Sequence, residues 1–131
     1  MKAFGLPLII VLYLLPGICV DDPIDKVAGL IRQGNAHELS KLFAPNIDLT
    51  ILDEENTYSN VQAEQILDKF FSQNVPRSVK MLHRINSSTN YRFGVLILNT
   101  GKGPYRVAYT LKGADSNLTL IALRIEVEKV K

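Results

Sequence analysis

From Asp22 to Pro76 the hydrophobic period is about 3.6 residues except over one alternating strand, and after Pro76 it is 2 and stays there. Behind Asp22-Pro23, Ile24, Val27, Ala28 and Ile31 recur at helical spacing, and Gly34 supplies the stop. Asp22 is suited to cap this helix, and proline is tolerated at its first position. Asn35, with Glu38 three residues on, predicts a second, short helix. Its buried stripe would be Leu39, Leu42 and Phe43, and Pro45-Asn46 would end it. Residues 47–52 alternate as a first strand, and Asp53-Glu54-Glu55-Asn56 reads as an acidic loop. Ser59 and Gln62 form an S-x-x-Q capping box, each serving a backbone N–H that a helix start leaves free. Ala63, Ile66, Leu67, Phe70 and Phe71 then give a third helix a wide apolar face.

After Pro76 four segments alternate: 78–85, 91–98, 104–112 and 118–128. The connections 86–90, 99–103 and 115–117 carry the asparagine, glycine and serine that short turns need. The pattern predicts an α+β domain, helix-helix-strand-helix followed by a four-strand antiparallel meander, with the helices on one face of the sheet. Loops of five, five and three residues set a register in which His83, Phe93, Tyr109 and Leu123 share a row on the face toward the helices. The opposite face would then carry Leu82, Arg84, Arg92, Gly94, Leu96, Leu98 and Arg106. Leucines, small residues and interleaved arginines are unusual for a face left to water. They make it a candidate docking surface for a second copy of the chain or for another protein of the cell envelope.

Residues 1–19 read differently. Lys2 is their only charge, an apolar run follows, and Pro16-Gly17 breaks it. Gly17 and Cys19 stand at the third and first positions before a cut ahead of Val20, the pattern of a secretory signal peptide. The division expected is a leader over 1–19 and one domain over 20–131, exported to a periplasm or secreted. A retained N-terminal anchor and a lipidated Cys19 are the alternatives. Otherwise the membrane would be met only through the transient leader. Cys19 is the sole cysteine, so no disulfide framework holds the domain. The formal net charge is +2, with Lys2 contributing one unit and the other basic residues scattered, which gives no footprint for nucleic acid.

Candidate chemistry is sparse. His83, beside Phe93, Tyr109 and Tyr58, is a candidate small-ligand pocket, with His83 as acid or base. The competing reading is a core histidine satisfied by hydrogen bonds. No paired carboxylates fall on the expected core face, no serine–histidine–aspartate set is present, and two histidines give no metal-ligand spacing. No catalytic residue, metal or cofactor is therefore assigned. Gly101-Lys102-Gly103 falls in a turn and is not a phosphate loop.

The element order resembles the nuclear transport factor 2-like superfamily, a cone-shaped α+β fold with three helices on a curved antiparallel sheet. More narrowly, GNAHELSKLFAPNIDLTI, TYSNVQAEQILDKFF, YRFG and GPYRVAYTLK are similar to the domain of unknown function 4783 family, small exported bacterial proteins with no assigned activity. HRINSS departs from that family's pattern, with Arg84-Ile85 where a glycine is expected soon after the histidine. The resemblance implies fold and export and transfers no catalytic residue. The function expected is a non-enzymatic binding or scaffolding module. A small lyase or isomerase using His83 is the rival from another class, and a cystatin-like inhibitor, which also wraps a sheet around a helix, is a third.

Overall fold

The computed structural model describes residues 22–88, 90–114 and 117–129. The expected leader lies outside them. Helix α1 (Pro23–Gln33) starts where Asp22 accepts a hydrogen bond from the Ile24 amide at 2.9 Å, and Pro23 opens its first turn. It ends at Gly34, whose φ of 66° is the left-handed conformation that glycine adopts without a Cβ penalty. Helix α2 (Ala36–Ser40) is only five residues long, with Asn35 as its cap. Strands β1 (Phe43–Ile51) and β2 (Glu54–Ser59) follow as a hairpin. Helix α3 (Asn60–Gln73) carries the full capping box: Ser59 Oγ accepts from the Gln62 amide at 3.2 Å, and the Ser59 amide donates to Gln62 Oε1 at 3.3 Å.

Four longer strands complete the chain: β3 (Pro76–Ser88), β4 (Tyr91–Thr100), β5 (Gly103–Lys112) and β6 (Thr119–Val127). They form the expected antiparallel meander, and the sheet order is β2-β1-β6-β5-β4-β3. The sheet therefore has six strands and is mixed, because β1 runs parallel to β6. The three helices pack on one face. Ile24, Val27, Ile31, Leu39, Leu67, Phe70 and Phe71 meet Leu96, Leu98, Val107, Tyr109, Leu123 and Ile125 there.

Three expectations are corrected. The third helix follows two strands where one was expected, and the second helix, α2, is little more than one turn. Leu42 and Phe43 lie beyond α2, with Phe43 opening β1 opposite Leu120, so Pro45 sits inside a strand near a register shift instead of ending a helix. The acidic segment expected as a loop supplies Glu54, Glu55 and Asn56 to β2, and only Leu52 and Asp53 turn the hairpin. The charged side chains hid that strand. As a short edge strand exposed along most of its length, it needs no alternation of apolar residues.

The register is the largest correction. Thr100 pairs with Gly103, so the β4–β5 hairpin turns on Gly101-Lys102 alone, not on five residues. A change in pairing of one residue turns every side chain of β4 to the opposite face. Gly94, Leu96 and Leu98 thus face the helices, and Phe93, Val95 and Ile97 face away. The β5–β6 rows stand as expected through Tyr109–Leu123 and Val107–Ile125. In β3 a register shift between Met81 and His83, with Leu82 as the additional residue, reverses the facing partway along the strand.

Candidate functional site

The aromatic and histidine residues singled out from the sequence do not come together. Tyr109 is buried in the helix-facing core, where its hydroxyl donates to the Ile24 carbonyl oxygen at 2.7 Å. Burial raises its pKa, with Asp25 and Asp22 adding to the effect. Tyr58 lies opposite Ile47 in β2 and packs against the same core. His83 pairs with Val95, and Phe93 with Thr110, so both belong to the outer face, where His83 is exposed. A backbone sheet separates the two halves of the expected pocket. The helix-facing side is filled around Tyr109, since a Cβ on Gly94 would fall 2.6 Å from the tyrosine Cζ. Among the described residues, every buried side-chain nitrogen or oxygen has a hydrogen-bond partner, and no cluster of three His, Cys, Asp or Glu side chains could hold a metal.

The expected docking residues are also redistributed. Arg106 lies on the outer face, half-buried, with its guanidinium 3.5 Å from Glu128. Gly94, Leu96 and Leu98 are core. Arg84 pairs with Gly94 and therefore points to the helix side, where it meets Asp25 of α1 at 2.6 Å. Arg92 shares that side but pairs with Asn86 and Leu111, so the two arginines do not stand opposite each other as expected. Leu82 falls at the β3 bulge.

What remains outside is more apolar than expected. One row runs Thr57, Asp48, Ala122, Thr110, Phe93 and Ile85 from β2 to β3. The next runs Glu55, Thr50, Arg124, Ala108, Val95 and His83. A third runs Glu126, Arg106, Ile97 and Lys80. Phe93, Val95, Ile97, Ala108 and Ala122 are each half-buried, and Ile85 is 47% exposed. Tyr91 stacks on Phe93 with ring centroids 6.5 Å apart, and the Lys112 ammonium lies 5.8 Å from the Tyr91 centroid. At the centre is an open depression of about 320 Å³, floored by Val95, Ala108 and Ala122 and bounded by Asp48, Glu55 and Arg124. Arg124 reaches Glu126 at 3.0 Å and Glu55 at 3.7 Å. Asp48 accepts from the Thr57 hydroxyl at 2.7 Å. The arrangement, an apolar floor with a charged rim, is suited to contact. Among the described residues it brings no acid–base pair to a shared reacting position.

A six-strand mixed sheet with helices on one face and this open outer surface defines a class of α+β proteins with nuclear transport factor 2-like members. The designed protein Rd1NTF2_04 with long sheet shares the fold at 14% identity and a TM-score of 0.63, over 77% of this chain and 94% of that one. The family described as Domain of unknown function (DUF4783) matches residues 24–126, and the chain belongs to it. A DUF4783 family protein from Bacteroides uniformis ATCC 8492 is 24% identical, with a TM-score of 0.76 over 84% of this chain and all of that one (100%). Another from Bacteroides fragilis YCH46 is 22% identical, with a TM-score of 0.74 over 82% and 100%. No curated protein matches the chain.

Proposed function

We propose that this protein is an exported, non-enzymatic binding or scaffolding module that docks a partner on the outer face of its sheet. The observation that carries the reading is the half-buried apolar centre of Phe93, Val95, Ile97, Ala108 and Ala122, surrounded by exposed charges. A sheet face left to water is normally polar. An apolar patch rimmed by polar groups is the usual organisation of an interaction surface. A lyase or isomerase worked by His83 is the weaker reading. The imidazole is exposed on the far side of the sheet from Tyr109 and Tyr58, and among the described residues no side-chain donor is hydrogen-bonded to it.

The test compares wild type with Val95→Asp, which places a charge in the apolar centre. The variant is expected to keep its melting temperature within a few degrees and to lose both self-association and retention of envelope proteins. Equal association or capture by the two proteins would overturn the reading. Export is part of the same proposal, and it rests on Gly17, Cys19 and the apolar run before them. N-terminal sequencing of the mature protein is expected to begin near Val20 and to find no thiol. A full-length or acylated N-terminus would overturn that part.

A further inference from the structure

We infer that one corner of the sheet, where β3 begins and β4 turns into β5, docks on an anionic phospholipid surface. Basic residues are spread along the sequence, but carboxylates are not. Residues 69–114 hold eight lysines and arginines and no aspartate or glutamate, and residues 42–68 hold six carboxylates and no lysine or arginine. Folding gathers most of the first block into β3, β4 and β5, at one side of the sheet order. The second falls in β1 and β2 at the other side and in the helix α3 that follows them.

Unpaired cations meet at the corner. Arg84 and Arg106 each reach a carboxylate, Asp25 at 2.6 Å and Glu128 at 3.5 Å. Among the described residues Arg77, Lys80 and Lys102 form no ion pair, and all three are exposed. Lys102 occupies the two-residue β4–β5 turn. Arg77 lies over the same turn, its Nη2 3.4 Å from the place that a Cβ on Gly101 would take. Lys80 pairs with Ile97, close to Thr100, where that hairpin closes. At about 3.3 Å per residue and about 4.8 Å between strands, the three side chains start from a patch roughly 10 Å by 10 Å. Ser78 and Asn99, hydrogen-bonded at 3.2 Å, add polar groups there, and Val75, 61% exposed, stands just before Pro76 and Arg77. Cations this close repel one another unless an anion lies over them. Charge on an edge strand also discourages strand addition, but that explains neither Lys102, which is in a turn, nor the want of a carboxylate anywhere in the block. A corner of a sheet projects, so it suits a flat layer of phosphate headgroups. Each lysine or arginine near such a layer raises partitioning about fivefold, and an exposed apolar residue beside them adds contact at the acyl boundary. The contact leaves the apolar centre of the outer face free and does not depend on the partner proposed for it.

The experiment is co-sedimentation of the mature chain with vesicles of phosphatidylglycerol mixed into phosphatidylcholine, beside vesicles of phosphatidylcholine alone. Wild type is expected to sediment with the first and not the second, and to be released at about 0.5 M salt, which shortens the reach of the attraction to a few ångströms. Lys80→Glu with Lys102→Glu is expected to bind at least about tenfold more weakly, at an unchanged melting temperature. Lys26→Glu with Lys41→Glu makes the same change in net charge at exposed positions of the helix layer. It is expected to bind as wild type does, and so is Val95→Asp. Inorganic phosphate added at constant ionic strength is expected to leave vesicle binding unchanged. Equal loss in the two charge variants would mean attraction by net charge alone and would overturn the inference. So would release by phosphate, equal sedimentation with uncharged vesicles, or no sedimentation with either. Binding of duplex DNA or polygalacturonate without binding of vesicles would overturn it as well.

Discussion

Gly94 has no room for a side chain: an added Cβ would lie 2.6 Å from Tyr109 Cζ and 2.8 Å from its hydroxyl oxygen. The tyrosine ring lies against the bare backbone of β4, and its hydroxyl reaches across to the Ile24 carbonyl oxygen on α1. Gly94→Ala is therefore expected to lower stability by about 1–3 kcal/mol, the range for overpacking a filled core, measurable by urea unfolding. Tyr109→Phe leaves the Ile24 carbonyl without that donor, at an expected cost of about 1–3 kcal/mol. The tyrosine also makes stability depend on pH in a defined direction. Its folded pKa is raised above the ordinary value near 10 because burial and the neighbouring Asp25 and Asp22 disfavour the phenolate. Above pH 10 the unfolded chain releases a proton that the folded chain keeps, so this contribution is full below pH 10 and is lost as pH rises further. Unfolding free energies measured from pH 9 to 11 should fall for wild type and fall less for Tyr109→Phe.

Local elements carry their own devices. The Ser59–Gln62 box starts α3, and at its other end Asn74 donates through Nδ2 to the Phe70 carbonyl oxygen at 3.0 Å while accepting from the Tyr105 hydroxyl at 2.7 Å. Ser59→Ala removes one cap and is expected to cost about 1 kcal/mol in chemical denaturation. His83 gives the opposite expectation. A core histidine would be costly to replace, but this one is exposed on the outer face, so His83→Gln should change stability by less than about 0.5 kcal/mol. A larger loss would mean that the imidazole makes a contact within the fold.

At the scale of the whole molecule, protection is unequal across the sheet. β5 and β6 lie in the interior of the sheet order and supply Val107, Tyr109, Leu111, Leu120, Leu123 and Ile125 to the core. β2 is a six-residue edge strand exposed over most of its length. Amide exchange is expected to be slowest in β5 and β6 and markedly faster in β2, where local opening breaks few apolar contacts. The 13-residue β3 forms the other edge, and its register shifts and charged residues oppose edge-to-edge addition of further strands.

The helix starts, the stop at Gly34 and the meander were legible because each depends on a few neighbouring residues: a cap that serves nearby amides, a glycine that accepts positive φ, an alternation of period 2. The Tyr109–Leu123 and Val107–Ile125 rows were legible too, since both strands show the same alternation and the pairing between them agrees with it. The facing of β4 was not. Tyr91, Phe93, Val95 and Ile97 alternate with Arg92, Gly94, Leu96 and Leu98, so both faces read as apolar and composition cannot choose between them. The choice came from the two-residue turn at Gly101-Lys102 and from the space over Gly94 that the Tyr109 ring fills. Likewise β2 carries few apolar residues, and only its pairing with β1 identifies it as a strand. Local chemistry thus determined which segments were regular. Contacts between segments distant in sequence decided which side of the sheet each residue occupies, and with it which residues form the apolar centre of the outer face.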